Sequence, residues 1–253
     1  AGVKHLSEGG HKDFKLRLLA NRLNSHKVVS LKSNGCEAVI VPSLGGRVLE
    51  YRAEGFNWLA ETDQGNFDYP APDGYLEYAG YIVGSLENYA CSAKKDSALL
   101  VARLANGLEL KRIFSLKNGA LLVDSELCNM TKAKVSTSWG ARWALQLPDA
   151  GASLEFASDS GKISLPWKEM REGYGSLVFE RERLPKKQAV EIRTGRLAVM
   201  HSISGDVFRF TSGRVESRLA MSLYYCTSNL TFAPGQKIRF SQRLAVASTQ
   251  AMF

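Results

Sequence analysis

Residues 108–128 read LELKRIFSL, then Lys117-Asn118-Gly119, then ALLVDSELC. Two strand-length apolar runs joined by an Asn-Gly turn are the pattern of an antiparallel hairpin, because both turn residues accept the positive φ that a tight connection requires. The same pattern continues on either side. Upstream lie KVVSLKS (27–33), CEAVIVP (36–42), RVLEYRA (47–53) and ALLVARLA (98–105). Downstream lie KVSTSWGARWALQL (134–147), GSLVFERERL (175–184), RLAVMHSIS (196–204), VFRFTS (207–212), SRLAMSLYYC (217–226) and KIRFSQRLAV (237–246). Ser33-Asn34-Gly35, Ala105-Asn106-Gly107 and Ala233-Pro234-Gly235 punctuate them as turns. About a dozen short strands of this kind predict an all-β fold, a large antiparallel sandwich.

One segment departs from the two-residue period. Residues 12–24 (KDFKLRLLANRLN) place Phe14, Leu18, Leu19 and Leu23 at helical spacing. The reading is therefore a linker or N-terminal helix over 1–26 and a sandwich domain over 27–253. The helix is either a linker packed on the domain or the last helix of a removed domain, and the second is favoured. Residues 60–90, rich in Gly, Tyr, Pro and Asp, are too long and polar for a hairpin and are expected to be a functional or surface excursion.

At 253 residues and 45% hydrophobic, the chain can fill one large core without dividing. No apolar run approaches the roughly 20 residues that span a bilayer, and the first twenty residues contain no hydrophobic signal core. Membrane insertion is not expected. The chain begins at Ala1, which fits both a processed precursor and a piece of something longer. The formal charge of +8 suits a polyanion, but the basic residues are scattered (Lys94-Lys95, Arg181 and Arg183, Lys186-Lys187). Without a dense basic run interleaved with aromatics, nucleic acid is not expected as a partner, whereas an acidic polysaccharide is left open. Cys36, Cys91, Cys128 and Cys226 lack the close spacing of a metal knuckle or a redox pair and read as small buried hydrophobes. No metal or cofactor is expected; disulfide state and compartment are left open.

Four short patterns, in order, resemble the galactose mutarotase-like superfamily of β-supersandwich proteins, which includes aldose 1-epimerases and sandwich domains of many glycoside hydrolases. Pro42-Ser43-Leu44-Gly45-Gly46-Arg47-Val48 is similar to that family's opening P-x-x-G-G turn and strand. Gly107-Leu108 through Arg112 resembles its Gly-Leu-x-hydrophobic-x-Arg run, and Leu121–Asn129 its strand ending in Asn. Leu230–Gln236 is similar to the L-x-P-G-q turn before the last strand. The resemblance spans residues 27 to 250. Gly74-Tyr75-Leu76-Glu77-Tyr78-Ala79-Gly80 also looks like a G-G-Y-E-E-Y stretch of sandwich domains in hexosaminidase-like glycosidases.

The resemblance implies a sugar ligand, and for an epimerase a His acid and a carboxylate base. Arg142 occupies the position resembling that acid, and an arginine holds anions or hydroxyls but does not release a proton near neutral pH. No catalytic residue is therefore assigned. Gly9-Gly10-His11 precedes the domain and reads as linker, and His201 reads as a strand histidine. Aromatic platforms and planar polar groups bind sugars, which makes Trp139, Arg142, Trp143, Glu77, Tyr78, Glu87, Tyr89 and Glu216 the candidate ligand-binding residues. Trp139 and Trp143 share one side of their strand and Arg142 takes the other, so the three line one cleft only if a bulge intervenes. Trp143 reads equally well as core, and Glu216 between Arg214 and Arg218 as a surface ion pair. Three functions follow: a non-catalytic carbohydrate-binding domain associated with a glycoside hydrolase, with a catalytic domain before residue 1 as its partner; a divergent aldose or hexose-phosphate epimerase; or a structural subunit making protein contacts.

Overall fold

The computed structural model describes residues 26–60, 74–79, 87–148, 151–158, 161–172, 176–178, 189–195, 197–204, 208–217 and 220–248. The expected helix at 12–24 lies outside the described residues. Two antiparallel sheets make up almost all of the rest. The first sheet runs in the order β1 (Val29–Ser33), β2 (Cys36–Val41), β3 (Arg47–Ala53), β5 (Tyr75–Ala79), β11 (Trp139–Gln146), β18 (Ala220–Thr227), β17 (Phe208–Ser217) and β14 (Ser176–Val178), with β4 (Phe56–Asn57) paired to β3. The second runs β13 (Gly161–Pro166), β12 (Ser153–Ser158), β15 (Ala189–Arg193), β16 (Leu197–Ser204), β20 (Lys237–Ser248), β9 (Ala120–Asn129), β8 (Leu108–Lys117), β7 (Ser97–Arg103) and β6 (Ala90–Ala93). A small ladder joins β10 (Val135–Thr137) to β19 (Leu230–Phe232), and one short helix, α1 (Trp167–Glu172), follows β13.

The founding hairpin is β8–β9, paired without slippage from Leu108↔Asn129 to Lys117↔Ala120, with Asn118 and Gly119 both at positive φ. Period-two alternation sends Leu108, Leu110, Phe114, Leu116, Leu121, Val123 and Leu127 into one continuous core against Tyr51, Tyr75, Trp139, Trp143, Leu223 and Tyr225 of the facing sheet. Trp139 stacks face to face on Phe240 across the two sheets, with ring centroids 4.2 Å apart.

Residues 60–90 are not a single excursion. Tyr75–Ala79 forms β5, an interior strand of the first sheet hydrogen-bonded to β11 and bridged to β3 at Val48↔Tyr75. Its polar residues hid it: Tyr75, Glu77 and Ala79 point inward, and the inward Glu77 breaks the apolar alternation by which the other strands are read. Short strands β4, β6, β12, β13, β15 and β19 also escaped the sequence pattern, and KVSTSWGARWALQL divides at Ser138 into β10 and β11.

The four sequence patterns meet in pairs. Arg112, fully buried on β8, donates through Nη2 to the carbonyl of Gly45 at 2.6 Å, so the Gly-Leu-x-hydrophobic-x-Arg run grips the Pro42–Gly46 turn. Gly45 and Gly46 adopt φ of +70° and +59°, and a Cβ on Gly46 would lie 2.3 Å from Arg112 Nη2 and 2.6 Å from Leu100 Cδ2. At the other clasp, Asn129 Nδ2 donates to the carbonyls of Ala133 (2.8 Å) and Phe232 (3.0 Å), and Gly235 N donates to Asn129 O (2.8 Å). The terminal Asn of β9 thereby holds the turn ahead of β20.

Gly46→Ala adds left-handed strain and forces the buried Arg112 or Leu100 to move, and should lower unfolding free energy by about 3 kcal/mol in urea titration. Gly119→Ala meets nothing within 4 Å. It should cost about 1 kcal/mol, the strain alone. Equal losses at the two positions would show that the clasp does not constrain Gly46.

Candidate functional site

The inner and outer faces of the first sheet carry different chemistry. On the inner face, between the sheets, Glu77 is fully buried and its Oε1 accepts hydrogen bonds from Ser125 Oγ (2.6 Å), Gln242 Nε2 (3.1 Å) and Tyr75 OH. Gln242 Nε2 also donates to Tyr75 OH (2.7 Å), and Trp143 Nε1 donates to Gln242 Oε1 (2.7 Å). Burial, and then the neighbouring Glu77 carboxylate, drive the Tyr75 phenol well above its ordinary range. Beside this group His201 Nδ1 lies 2.7 Å from Tyr225 OH, with its ring tilted against Trp143. Complete burial holds the His201 imidazole down at about 3, opposed by a hydrogen bond involving Gln242.

This arrangement corrects the expected site. Trp139 and Trp143 are fully buried core residues, and Glu77 faces the same interior, so none of the three reaches an open cleft. Tyr89, also interior, lies beneath the Arg112 guanidinium with 4.2 Å from Cζ to ring centroid. Burial raises the Tyr89 phenol to about 12, with the Arg112 charge pulling it back. Glu87 is half-buried where its backbone carbonyl accepts from Gly45 N at 3.1 Å. Glu216 lies on β17 at a bulge between Val215 and Ser217, and its side chain lies outside the described residues.

Arg142 and Tyr78 are on the outer face, as alternation requires. Arg142 is 7% exposed, and its Nε and Nη2 donate to Ser222 Oγ at 3.0 and 2.9 Å. Its Cζ sits 5.0 Å from the ring centroid of Tyr224, the residue opposite it in the ladder. Tyr78, half-buried, lies directly over Gly140, where a Cβ would come within 2.4 Å of the ring. The glycine is what lets that ring lie against the sheet beside Arg142. The face thus carries a planar cation anchored by a serine against one half-buried tyrosine, Tyr224, with a second, Tyr78, over Gly140. Ser222 and Tyr224 were not singled out in the sequence, although once β11 and β18 are paired Tyr224 falls opposite Arg142 and Ser222 opposite Ala144, on the same face.

No protein-family model matches the chain, and no curated protein sequence matches it. Solved structures do match. A galactose mutarotase-like protein from Clostridium acetobutylicum superposes with a TM-score of 0.67 at 11% identity, covering 89% of this chain and 96% of that one. The fold is the galactose mutarotase-like sandwich. An aldose epimerase homologue from C. elegans gives a TM-score of 0.68 at 8% identity, covering 88% and 99%. A galactose mutarotase related enzyme from Lactobacillus acidophilus gives 0.66 at 10% identity, covering 88% and 98%. These identities establish shared architecture.

His201 yields a test of the interior. Its folded value lies below the roughly 6.5 of an exposed histidine, so the unfolded chain binds the extra proton and stability falls as pH drops from 6.5 toward 3. The protein should lose about 2 kcal/mol of unfolding free energy between pH 7 and pH 5 from this group. His201→Gln should flatten that part of the pH profile; an unchanged slope would place the titrating group elsewhere.

Proposed function

We propose that this chain is a carbohydrate-binding sandwich domain whose ligand lies on the outer face of the first sheet. The observation that carries the reading is the Arg142 guanidinium anchored on Ser222 and set against Tyr224, with the Tyr78 ring over Gly140 two residues along the same face. Tyrosine faces bury the CH-rich side of a sugar ring, while a fixed planar cation donates to its hydroxyls or to an acidic substituent. The sugar's own affinity is set by how little the site reorganises, and Ser222 and Tyr224 already hold Arg142 in place.

The domain binds without interconverting anomers. Ring opening requires a group that gives a proton to the ring oxygen, and the anchored group on this face is a guanidinium. Of the four histidines, the structure describes His26, hydrogen-bonded to Ser43 Oγ at 2.7 Å, and His201, which faces the interior. Association with a glycoside hydrolase is supported by the G-Y-L-E-Y-A-G resemblance. The second reading, an epimerase acting on a free or phosphorylated aldose, is favoured by the names of the structural neighbours.

In calorimetric titration against a panel of neutral and acidic oligosaccharides, Arg142→Ala should weaken the best ligand by at least about tenfold, the weight of one charge-assisted hydrogen bond. Polarimetry of freshly dissolved glucose, galactose and glucose 6-phosphate should show no acceleration. Strong acceleration would replace this reading with the epimerase one, and binding unaffected by Arg142→Ala would move the site.

A further inference from the structure

The second sheet carries a separate hollow on its own outer face. β12 and β15 pair over only three positions, Ser153↔Arg193, Leu154↔Ile192 and Glu155↔Glu191, whereas β12 continues its pairing with β13 as far as Ser158↔Gly161. Past Glu155 the two strands part. The groove of about 640 Å³ at this place is lined by Ala157, Ala189, Met200 and Arg243, among others. It is independent of the Arg142 face, which belongs to the other sheet.

The charges of this groove decide its ligand. Glu155 and Glu191 stand directly opposite each other, a repulsive cross-strand pair unless neutralised. Arg193 Nε lies 2.8 Å from Glu191 Oε1 and 3.2 Å from Glu155 Oε2, and Lys162 Nζ lies 2.8 Å from Glu155 Oε2. Both carboxylates are thus spoken for. Arg243, exposed at the rim on β20 and paired in register with Ser202, has no carboxylate partner among the described residues. Met200, Ala157 and Ala189 supply an apolar surface beside that uncommitted cation.

We propose that this groove binds a small organic monoanion: an apolar body seated on Met200, Ala157 and Ala189, with one carboxylate or sulfonate held by Arg243. Its volume is that of a site for a small molecule. A dianion is disfavoured because the remaining cations are held by Glu155 and Glu191.

The probe is 8-anilinonaphthalene-1-sulfonate, followed by fluorescence titration of the whole chain at neutral pH. Saturable 1:1 binding is expected. Arg243→Glu should weaken it by about tenfold or more, by replacing attraction with repulsion at the anion, while Arg243→Lys stays within about threefold. Arg103→Glu makes the same change of charge on exposed β7 of this sheet, away from the groove, and should leave the titration unchanged. Circular dichroism and thermal melting check that each variant is folded. Absence of saturable binding, equal weakening by Arg103→Glu and Arg243→Glu, or indifference to Arg243→Glu would each overturn the proposal.

Discussion

The fold is organised around a carboxylate placed where hydrocarbon would be expected. Glu77 lies buried between two apolar sheets, where an oxygen without donors costs several kcal/mol; Oε2 has no hydrogen-bond partner among the described residues, so the donors gathered at Oε1 carry the group. Three donors meet Oε1: Tyr75 from the same strand, and Ser125 and Gln242 from β9 and β20 of the facing sheet. Because hydrogen bonds tolerate only a few tenths of an ångström, this group fixes how β5 stands over β9 and β20 more narrowly than apolar packing would. Trp143, held through Gln242, extends that constraint to β11. The register of β11 then decides which residues face outward: with Trp139 and Trp143 directed into the core, Arg142 has only the outer face.

The two clasps do the corresponding work at the sandwich ends. Arg112 reaches from β8 to the Gly45 carbonyl, and Asn129 holds the backbone on both sides of the β10–β19 ladder. Residues 67 and 103 positions apart in sequence are joined by these bonds. A chain dominated by such non-local contacts closes its loops slowly, and buried polar clasps of this kind select one pairing among many apolar alternatives.

How much of this could be read beforehand depended on whether a residue obeyed the local pattern. The β8–β9 hairpin was legible because alternation and an Asn-Gly turn agree. β5 was not, because a tyrosine and a glutamate facing a core are indistinguishable in sequence from a polar loop; only the donors from β9 and β20 explain them. For the same reason Glu77 and Tyr89 read as ligand-facing and proved interior; period two set Arg142 on the face opposite Trp139 and Trp143, whereas Tyr78, read as part of a polar loop, received its face only with β5. Ser222 and Tyr224 needed the β11–β18 register, which no local signal specifies. The motif arginine Arg112 was visible as part of a pattern, but its role emerged only with Gly45 beside it.

The consequence is a division between polar groups that look alike in sequence: an inward set that fixes the sheets, and an outward set on which the proposed ligand face is built. On the outer face Arg142 is nearly buried, anchored by Ser222 with the Tyr224 ring beside its guanidinium. The most direct measurement is a crystal structure of the chain soaked with the oligosaccharide that binds most tightly. Sugar density across Tyr78, Arg142 and Tyr224, with Glu77 still bonded to Ser125 and Gln242, is the result the account predicts. A sugar contacting Glu77 or Trp143 through an opened inter-sheet core, or bound away from the first sheet's outer face, would contradict it.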